Sequence, residues 1–158
     1  MGTTTSKNDF IEKIFYRDDN LLIKLHIAIN DYLYHYDELN VSFMKYHLLQ
    51  NNNKKYVHEE HSSSAKFSNL LKNVQKNILK ERQTYENMEE AINAYMKNIR
   101  NYESLYNIID RRNFIIFYES FYKMNKNRDE YNNIDIFIIS GKIELFIDVA
   151  IKFLNKKL

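Results

Sequence analysis

The residues with the clearest chemical potential are basic side chains repeated along one stretch of the sequence. Lys72, Lys76 and Lys80 recur every four residues, which places them close together on one helix face, and Arg82 follows. Within this stretch only Glu81 opposes them. Such a row attracts anionic lipid headgroups by about 1 kcal/mol per residue near a membrane. The alternative interpretation is a solvated flank of a coiled coil.

Two further basic groups allow the same two interpretations. Together with the row they make up the predicted lipid contacts, which are Lys72, Lys76, Lys80, Arg82, Arg111, Arg112, Lys123 and Lys126. The net charge of the chain is only +2, so its overall charge does not require a nucleic-acid partner. The tyrosines between the charges fall on an apolar seam instead of forming base-stacking platforms, and we expect no nucleic-acid binding.

The first residues carry a candidate lipid-attachment site. Met1-Gly2-Thr3-Thr4-Thr5-Ser6 fits the pattern for N-myristoylation of Gly2. A single acyl chain gives only marginal and reversible membrane binding, so the basic residues would have to supply a second membrane signal. The alternative interpretation is an ordinary polar chain start.

No motif for catalysis or metal binding stands out in the sequence. His58-Glu59-Glu60-His61 is the only tight cluster of metal-ligand residue types, and its spacing differs from the H-E-x-x-H of zinc proteases. Cysteine is absent, and neither a glycine-rich phosphate loop nor a G-x-S-x-G elbow occurs. We therefore expect no enzymatic activity, no metal site and no other cofactor.

The elements that position these residues are predicted to be helices, because proline is absent and Gly2 and Gly141 are the only glycines. Apolar residues spaced alternately by three and four form a first seam, and this spacing is typical of helices that pair. The seam consists of Leu22, Leu25, Ile29, Tyr32, Tyr36, Leu39, Phe43 and Tyr46. Asn51-Asn52-Asn53 is predicted to end this helix, since asparagine competes for backbone hydrogen bonds.

A second seam predicts one continuous helix over residues 67–116. It begins with Phe67, Leu71, Val74, Ile78 and Glu81 and ends with Asn113 and Ile116. Seven heptads at about 1.5 Å per residue would make a helix on the order of 75 Å long, too long for this chain to bury alone. We therefore predict a dimer interface at the positions between, which are Tyr85, Met88, Ile92, Tyr95, Ile99, Tyr102, Tyr106 and Ile109.

Beyond this seam the apolar face broadens into an aromatic cluster, which predicts contact with a third element or a partner. The cluster consists of Phe114, Phe117, Tyr118, Phe121 and Tyr122. Residues 134–139 are β-branched enough for a strand, but no partner strand is evident, and helical spacing continues through Ile143, Phe146, Ala150 and Phe153. We predict an all-α protein, an elongated antiparallel bundle or coiled coil of about three long helices.

The chain of 158 residues is predicted to have two parts. Residues 1–18 would be a flexible segment with a short amphipathic helix that ends near Asp18 and Asp19, and residues 19–158 would form the helical domain. The sequence lacks a secretory signal and an apolar run of about 20 residues, so we expect a cytoplasmic location without a membrane span.

The order of these helices resembles the BAR region of sorting nexins over residues 20–157. Ala94-Tyr95-Met96-Lys97 occupies the place of the family's recurrent aromatic-bearing turn. Asp110-Arg111-Arg112 lies near its basic step, before the aromatic segment at residues 114–122. The family's tryptophans are absent, and the last helix is short for a full module. The resemblance implies a curved, antiparallel homodimer or heterodimer that binds anionic endosomal membrane in vesicle trafficking, with the basic residues above as lipid contacts.

A second resemblance is to compact viral inhibitors of host apoptosis or signalling, which are helical bundles of similar length. Their helices are shorter than the seams in this sequence. This resemblance implies a helical scaffold or protein-binding module that contacts another protein through exposed apolar surface.

Overall fold

A computed structural model describes residues 2–53, 60–129 and 140–156. Every regular element within these ranges is helical, which confirms the all-α prediction. The elements in chain order are α1 (Gly2–Asn53), α2 (Glu60–Asn101), a 3-10 helix (Glu103–Leu105), α3 (Ile108–Asp129) and α4 (Ser140–Lys156). Residues 134–139, whose sequence also allowed a strand, lie outside the described ranges.

Helix α1 is longer at its N-terminal end than the sequence predicted. It runs as one helix from Gly2, so the predicted end near Asp18 and Asp19 is wrong. Each aspartate lowers helix propensity by only a fraction of a kcal/mol, and neither proline nor glycine interrupts the interior of α1. The described part of α1 reaches Asn53, and residues 54–59 lie outside the described ranges, so the end expected at Asn51-Asn52-Asn53 stays a prediction.

The predicted continuous helix over residues 67–116 is also wrong. The polypeptide leaves helical geometry after Asn101, and a new helix begins at Ile108. The side chain of Asn107 caps this new helix, because its Oδ1 accepts a hydrogen bond of 2.9 Å from the Ile109 amide. Residues 67–116 therefore do not form one helix of about 75 Å, and helix length no longer requires a partner chain.

Two side-chain contacts bridge the break between α2 and α3. The Asn98 amide donates a hydrogen bond to the hydroxyl of Tyr106. The Arg111 guanidinium lies 3.2 Å from the Glu103 carboxylate and also donates to the Glu103 carbonyl at 3.3 Å. The connection is therefore a defined turn, held by residues from both flanking helices.

The first of two compact units, here called the aromatic unit, comprises Met1–Ile29 and Glu89–Leu158. Its core is a stack of phenyl rings from α3 and α4. Phe117 stacks on Phe153 with ring centroids 4.8 Å apart, and Phe121 lies 5.9 Å from Phe146. The predicted aromatic cluster thus packs against a third element, α4. Its two tyrosines lie nearer the surface: Tyr118 is half-buried and Tyr122 is exposed.

The second compact unit, here called the paired-helix unit, comprises Asn30–Met88 and contains the C-terminal part of α1 and the N-terminal part of α2. Tyr46 contacts Phe67 with ring centroids 4.8 Å apart, whereas Tyr32 contacts Glu81. Contacts further along α1 thus meet residues earlier in α2, so the two segments run antiparallel. Part of each sequence seam lies at this contact, as the burial of Tyr36 on α1 and of Tyr85 on α2 shows.

Candidate functional site

The predicted lysine row is accessible on the surface of the paired-helix unit. Lys72, Lys76 and Lys80 are all exposed on α2, and Arg82 is half-buried. Four-residue spacing places the three lysines on successive turns of one face, with about 6 Å of rise between neighbours. This row can therefore present three positive charges together to a ligand.

Carboxylates of α1 lie beside part of this row. A groove of about 310 Å³ is lined by Asp37, Glu38, Val41, Ser42, Lys45, Asn73, Lys76, Asn77 and Lys80. Three lysines and two carboxylates thus share the groove, which leaves it only weakly positive. Charge spacing within the α2 stretch does not reveal Asp37 and Glu38, because they come from the other helix.

Glu38 is held in its ionised form by its neighbours. A hydrogen bond from the Tyr34 side chain lowers the pKa of Glu38 most, burial opposes it as the second-largest cause, and His35 and the positive charge of Lys80 lower the pKa further. The same contact raises the pKa of Tyr34, because phenolate would face the Glu38 carboxylate. His35 Nδ1 lies 3.4 Å from Glu38 Oε2. The α1 wall of the groove therefore keeps a negative charge at neutral pH.

The floor of the groove contains polar groups that are buried and hydrogen-bonded. The Ser42 hydroxyl donates to the Leu39 carbonyl at 2.9 Å within α1. The Asn77 amide of α2 donates to the Glu38 carbonyl at 3.5 Å and so links the two helices. Because both groups have partners, they maintain the structure of the groove and place no unsatisfied donor in it.

The sequence suggested that Glu81 opposes the lysine row at the surface. The structure shows instead that Glu81 lies in the interior. Its side chain is fully buried, and Glu81 Oε1 accepts a hydrogen bond of 3.2 Å from the Tyr32 hydroxyl. It lies on the seam, where a charged group needs hydrogen-bond partners to offset the loss of water. The carboxylates that do lie beside the row are Asp37 and Glu38.

The basic groups of α3 belong to the aromatic unit and differ in their availability. Arg111 is half-buried and pairs with Glu103, so it stabilises the turn between α2 and α3. Arg112, Lys123 and Lys126 are exposed. Lys123 lines a pocket of about 350 Å³ together with Arg100, Tyr118, Glu119 and Tyr122. Arg111 therefore has a structural role in this turn besides its predicted lipid contact.

Most of the predicted dimer interface is buried inside this single chain. Five of the eight side chains are buried, namely Tyr85, Met88, Ile92, Tyr95 and Ile99. Tyr102 and Tyr106 are half-buried at the break, whereas Ile109 is 66% exposed. The five buried side chains are not accessible to a second chain in this conformation, and the dimer interface expected at these positions stays a prediction.

Helix α1 also exposes a row of large apolar side chains, which was not predicted from the sequence. This row, here called the α1 ridge, lies in the paired-helix unit and consists of Tyr34, Val41, Met44 and Leu48, all exposed. Tyr34, Val41 and Leu48 recur every seven residues, and this spacing was the signal available in the sequence. The buried seam on the same helix also follows heptad spacing, so spacing alone does not distinguish the buried row from the exposed one.

Three remaining expectations concern lipidation, metal binding and membrane crossing. Gly2 is the first residue of α1, while His58 and Glu59 of the His-Glu-Glu-His cluster lie outside the described residues. Among the residues with described placement, no group of three histidine or acidic side chains could hold a metal ion. Over the same residues, no helix combines the length and apolar character needed to cross a membrane.

Comparison of the chain with family models, curated proteins and solved structures finds no match. The resemblance to the BAR region of sorting nexins therefore stays a prediction based on helix order and a few residues. Two exposed surfaces of the paired-helix unit remain as candidate functional sites, the lysine row on α2 and the α1 ridge.

Proposed function

We propose that this chain is a non-catalytic helical module that binds anionic membrane surfaces through the lysine row. The observation that carries this proposal is the exposure of Lys72, Lys76 and Lys80 on successive turns of α2. In the cell, such a module would act as a dimer in vesicle trafficking, peripherally on endosomal membrane, as the resemblance to sorting nexin BAR regions implies. Arg112, Lys123 and Lys126 would add lipid contacts from α3.

The expected affinity of the lysine row for a membrane is modest. Three lysines near an anionic surface contribute roughly 3 kcal/mol in total, and the neighbouring Asp37 and Glu38 reduce this attraction. Leu79 is exposed on the same side of α2, three residues after Lys76, and supports the proposal by offering an apolar contact with lipid. Myristate on Gly2 or a second copy of the chain would supply the remaining binding energy.

Co-sedimentation with vesicles tests this proposal directly. We expect the chain to bind vesicles of phosphatidylcholine with phosphatidylserine at low salt and to bind them less as the salt concentration rises. It should not bind vesicles of pure phosphatidylcholine. The triple variant Lys72→Glu, Lys76→Glu, Lys80→Glu should lose most of this binding. The matched control, in which the same three lysines are replaced by arginine, keeps the positive charges and should retain vesicle binding. Absence of binding at low salt, or equal binding by the glutamate triple, would contradict the proposal.

The α1 ridge favours a second candidate function, a protein-binding or scaffold role of the kind that viral inhibitors of apoptosis or signalling perform. Four large apolar side chains exposed along one helix are a surface that another helix can cover. Binding through this ridge would tolerate high salt and the glutamate triple, because it depends on apolar contact. It would instead be lost when Met44 is replaced by glutamate, which separates the two functions.

A further inference from the structure

Helix α1 carries two apolar faces within the paired-helix unit, and α2 covers only one of them. Tyr32, Tyr36 and Leu39 are buried against α2, whereas Val41 and Met44 are exposed. The exposed residues of the α1 ridge follow heptad spacing, with Met44 three residues after Val41. Helices with this spacing pair through it, because the positions stay in line along the contact.

The charges beside the ridge determine which partner helix fits. Glu38 lies three residues before Val41, and Lys45 follows Met44 directly. In an antiparallel pair of identical helices that sets Val41 against Met44 of a second copy, Glu38 of each copy falls beside Lys45 of the other. Both ion pairs then form by symmetry, since every contact in a two-fold interface occurs twice. The charges that flank the central contact of Val41 with Met44 are therefore complementary between two copies.

A parallel arrangement of the same two helices is disfavoured by Asp37. Asp37 lies three residues after Tyr34 and four before Val41, so it falls in line with the ridge. Parallel pairing would set Asp37 against Asp37 of the second copy, and two carboxylates in contact repel each other. Antiparallel pairing with Val41 against Met44 separates the two carboxylates and sets each Asp37 beside Leu48 of the other copy, at the end of the contact.

We propose that two copies of this chain associate through their α1 ridges in antiparallel orientation, with reciprocal ion pairs between Glu38 and Lys45. The Tyr34 hydroxyl supports this arrangement, because its hydrogen bond keeps the Glu38 carboxylate ionised at the edge of the ridge. This association does not rest on membrane binding, since the lysine row belongs to α2. It also differs from the interface expected on α2, whose central side chains are buried within the chain.

Sedimentation equilibrium of the full chain without lipid tests the surface. We expect a dimer whose fraction rises with protein concentration, and a dissociation constant at least tenfold higher for Met44→Glu. The matched control is Leu145→Glu on α4, since Leu145 is 66% exposed and Met44 is 63% exposed. This control should dimerise as the unchanged chain does. A chain that stays monomeric at all concentrations, or a dimer that Met44→Glu leaves intact, would overturn the proposal.

A charge exchange tests the orientation. Glu38→Lys and Lys45→Glu each create two like-charge contacts, so each should raise the dissociation constant by roughly three- to tenfold. The double variant restores both ion pairs with exchanged signs and should dimerise within about threefold of the unchanged chain. Circular dichroism confirms that each variant remains helical. A double variant that dimerises as weakly as the single variants would overturn the antiparallel arrangement.

Discussion

The aromatic unit and the paired-helix unit bury their helices in different ways. In the aromatic unit, α3 and α4 join phenyl rings into a core that needs no hydrogen bonds, as the stacking of Phe117 on Phe153 illustrates. The paired-helix unit buries a narrower seam between two helix segments, and that seam includes Glu81 and Asn77. Ring packing therefore dominates the core of the first unit, whereas the core of the second combines apolar packing with hydrogen-bonded polar groups.

The largest expected effect comes from removing a ring of the aromatic core. Phe117→Ala deletes a fully buried side chain that stacks on Phe153, and it should lower the free energy of unfolding by about 3–5 kcal/mol in a urea titration. The control Tyr122→Ala on the same helix removes an exposed ring and should change stability by about 0.5 kcal/mol or less. If Phe117→Ala lowered the free energy of unfolding no more than the control does, ring packing would not dominate the aromatic unit.

An intermediate effect is expected from the buried polar pair of the other unit. Tyr32→Phe removes the hydroxyl that donates to Glu81 and should destabilise the chain by about 1–3 kcal/mol, since the buried carboxylate loses a donor. The double variant Tyr32→Phe, Glu81→Leu removes both groups. It should lose less stability in urea than the sum of its two single variants. Strictly additive losses would show that the pair does not act as one polar unit.

The smallest effect concerns the exposed rim of the paired-helix unit. Tyr34→Phe removes the hydrogen bond that lowers the pKa of Glu38, so this pKa should rise toward its ordinary value in an NMR titration of the carboxyl carbon. Because the folded pKa is depressed, Glu38 stabilises the fold above its ordinary pKa, and this contribution disappears as pH falls through the folded pKa. The variant should weaken that dependence. Tyr122→Phe is the control and should leave the Glu38 titration unchanged.

The sequence predicted much of the core because heptad spacing reports directly which side chains face a neighbouring helix. Leu25, Ile29 and Leu39 were expected on the first seam and are buried, and so are Val74 and Met88 on the second. The aromatic cluster was expected to meet a third element, and Phe117 and Phe121 do pack on α4. These predictions rest on local spacing, which a single sequence contains.

The break between α2 and α3 escaped prediction because the spacing continues through it. Tyr102, Tyr106 and Ile109 keep the alternation of three and four, although the backbone leaves the helix there. A signal was present in Asn107-Ile108-Ile109-Asp110, which places a capping asparagine three residues before an acidic one. The partners of the lysine row were missed for another reason. Asp37 and Glu38 reach it only through tertiary packing, which spacing within one helix does not reveal.

The buried Glu81 also selects one register for the two helices of the paired-helix unit. An apolar seam with a seven-residue repeat looks alike after a slip of one heptad, so it defines alignment poorly. In the observed alignment Glu81 faces the Tyr32 hydroxyl, whereas a slip of seven residues would set it against Leu39 or Leu25. Neither leucine can donate a hydrogen bond, and a buried carboxylate without donors is costly. One acidic residue thus gives an otherwise repetitive seam a unique alignment, as a single polar residue does in designed coiled coils.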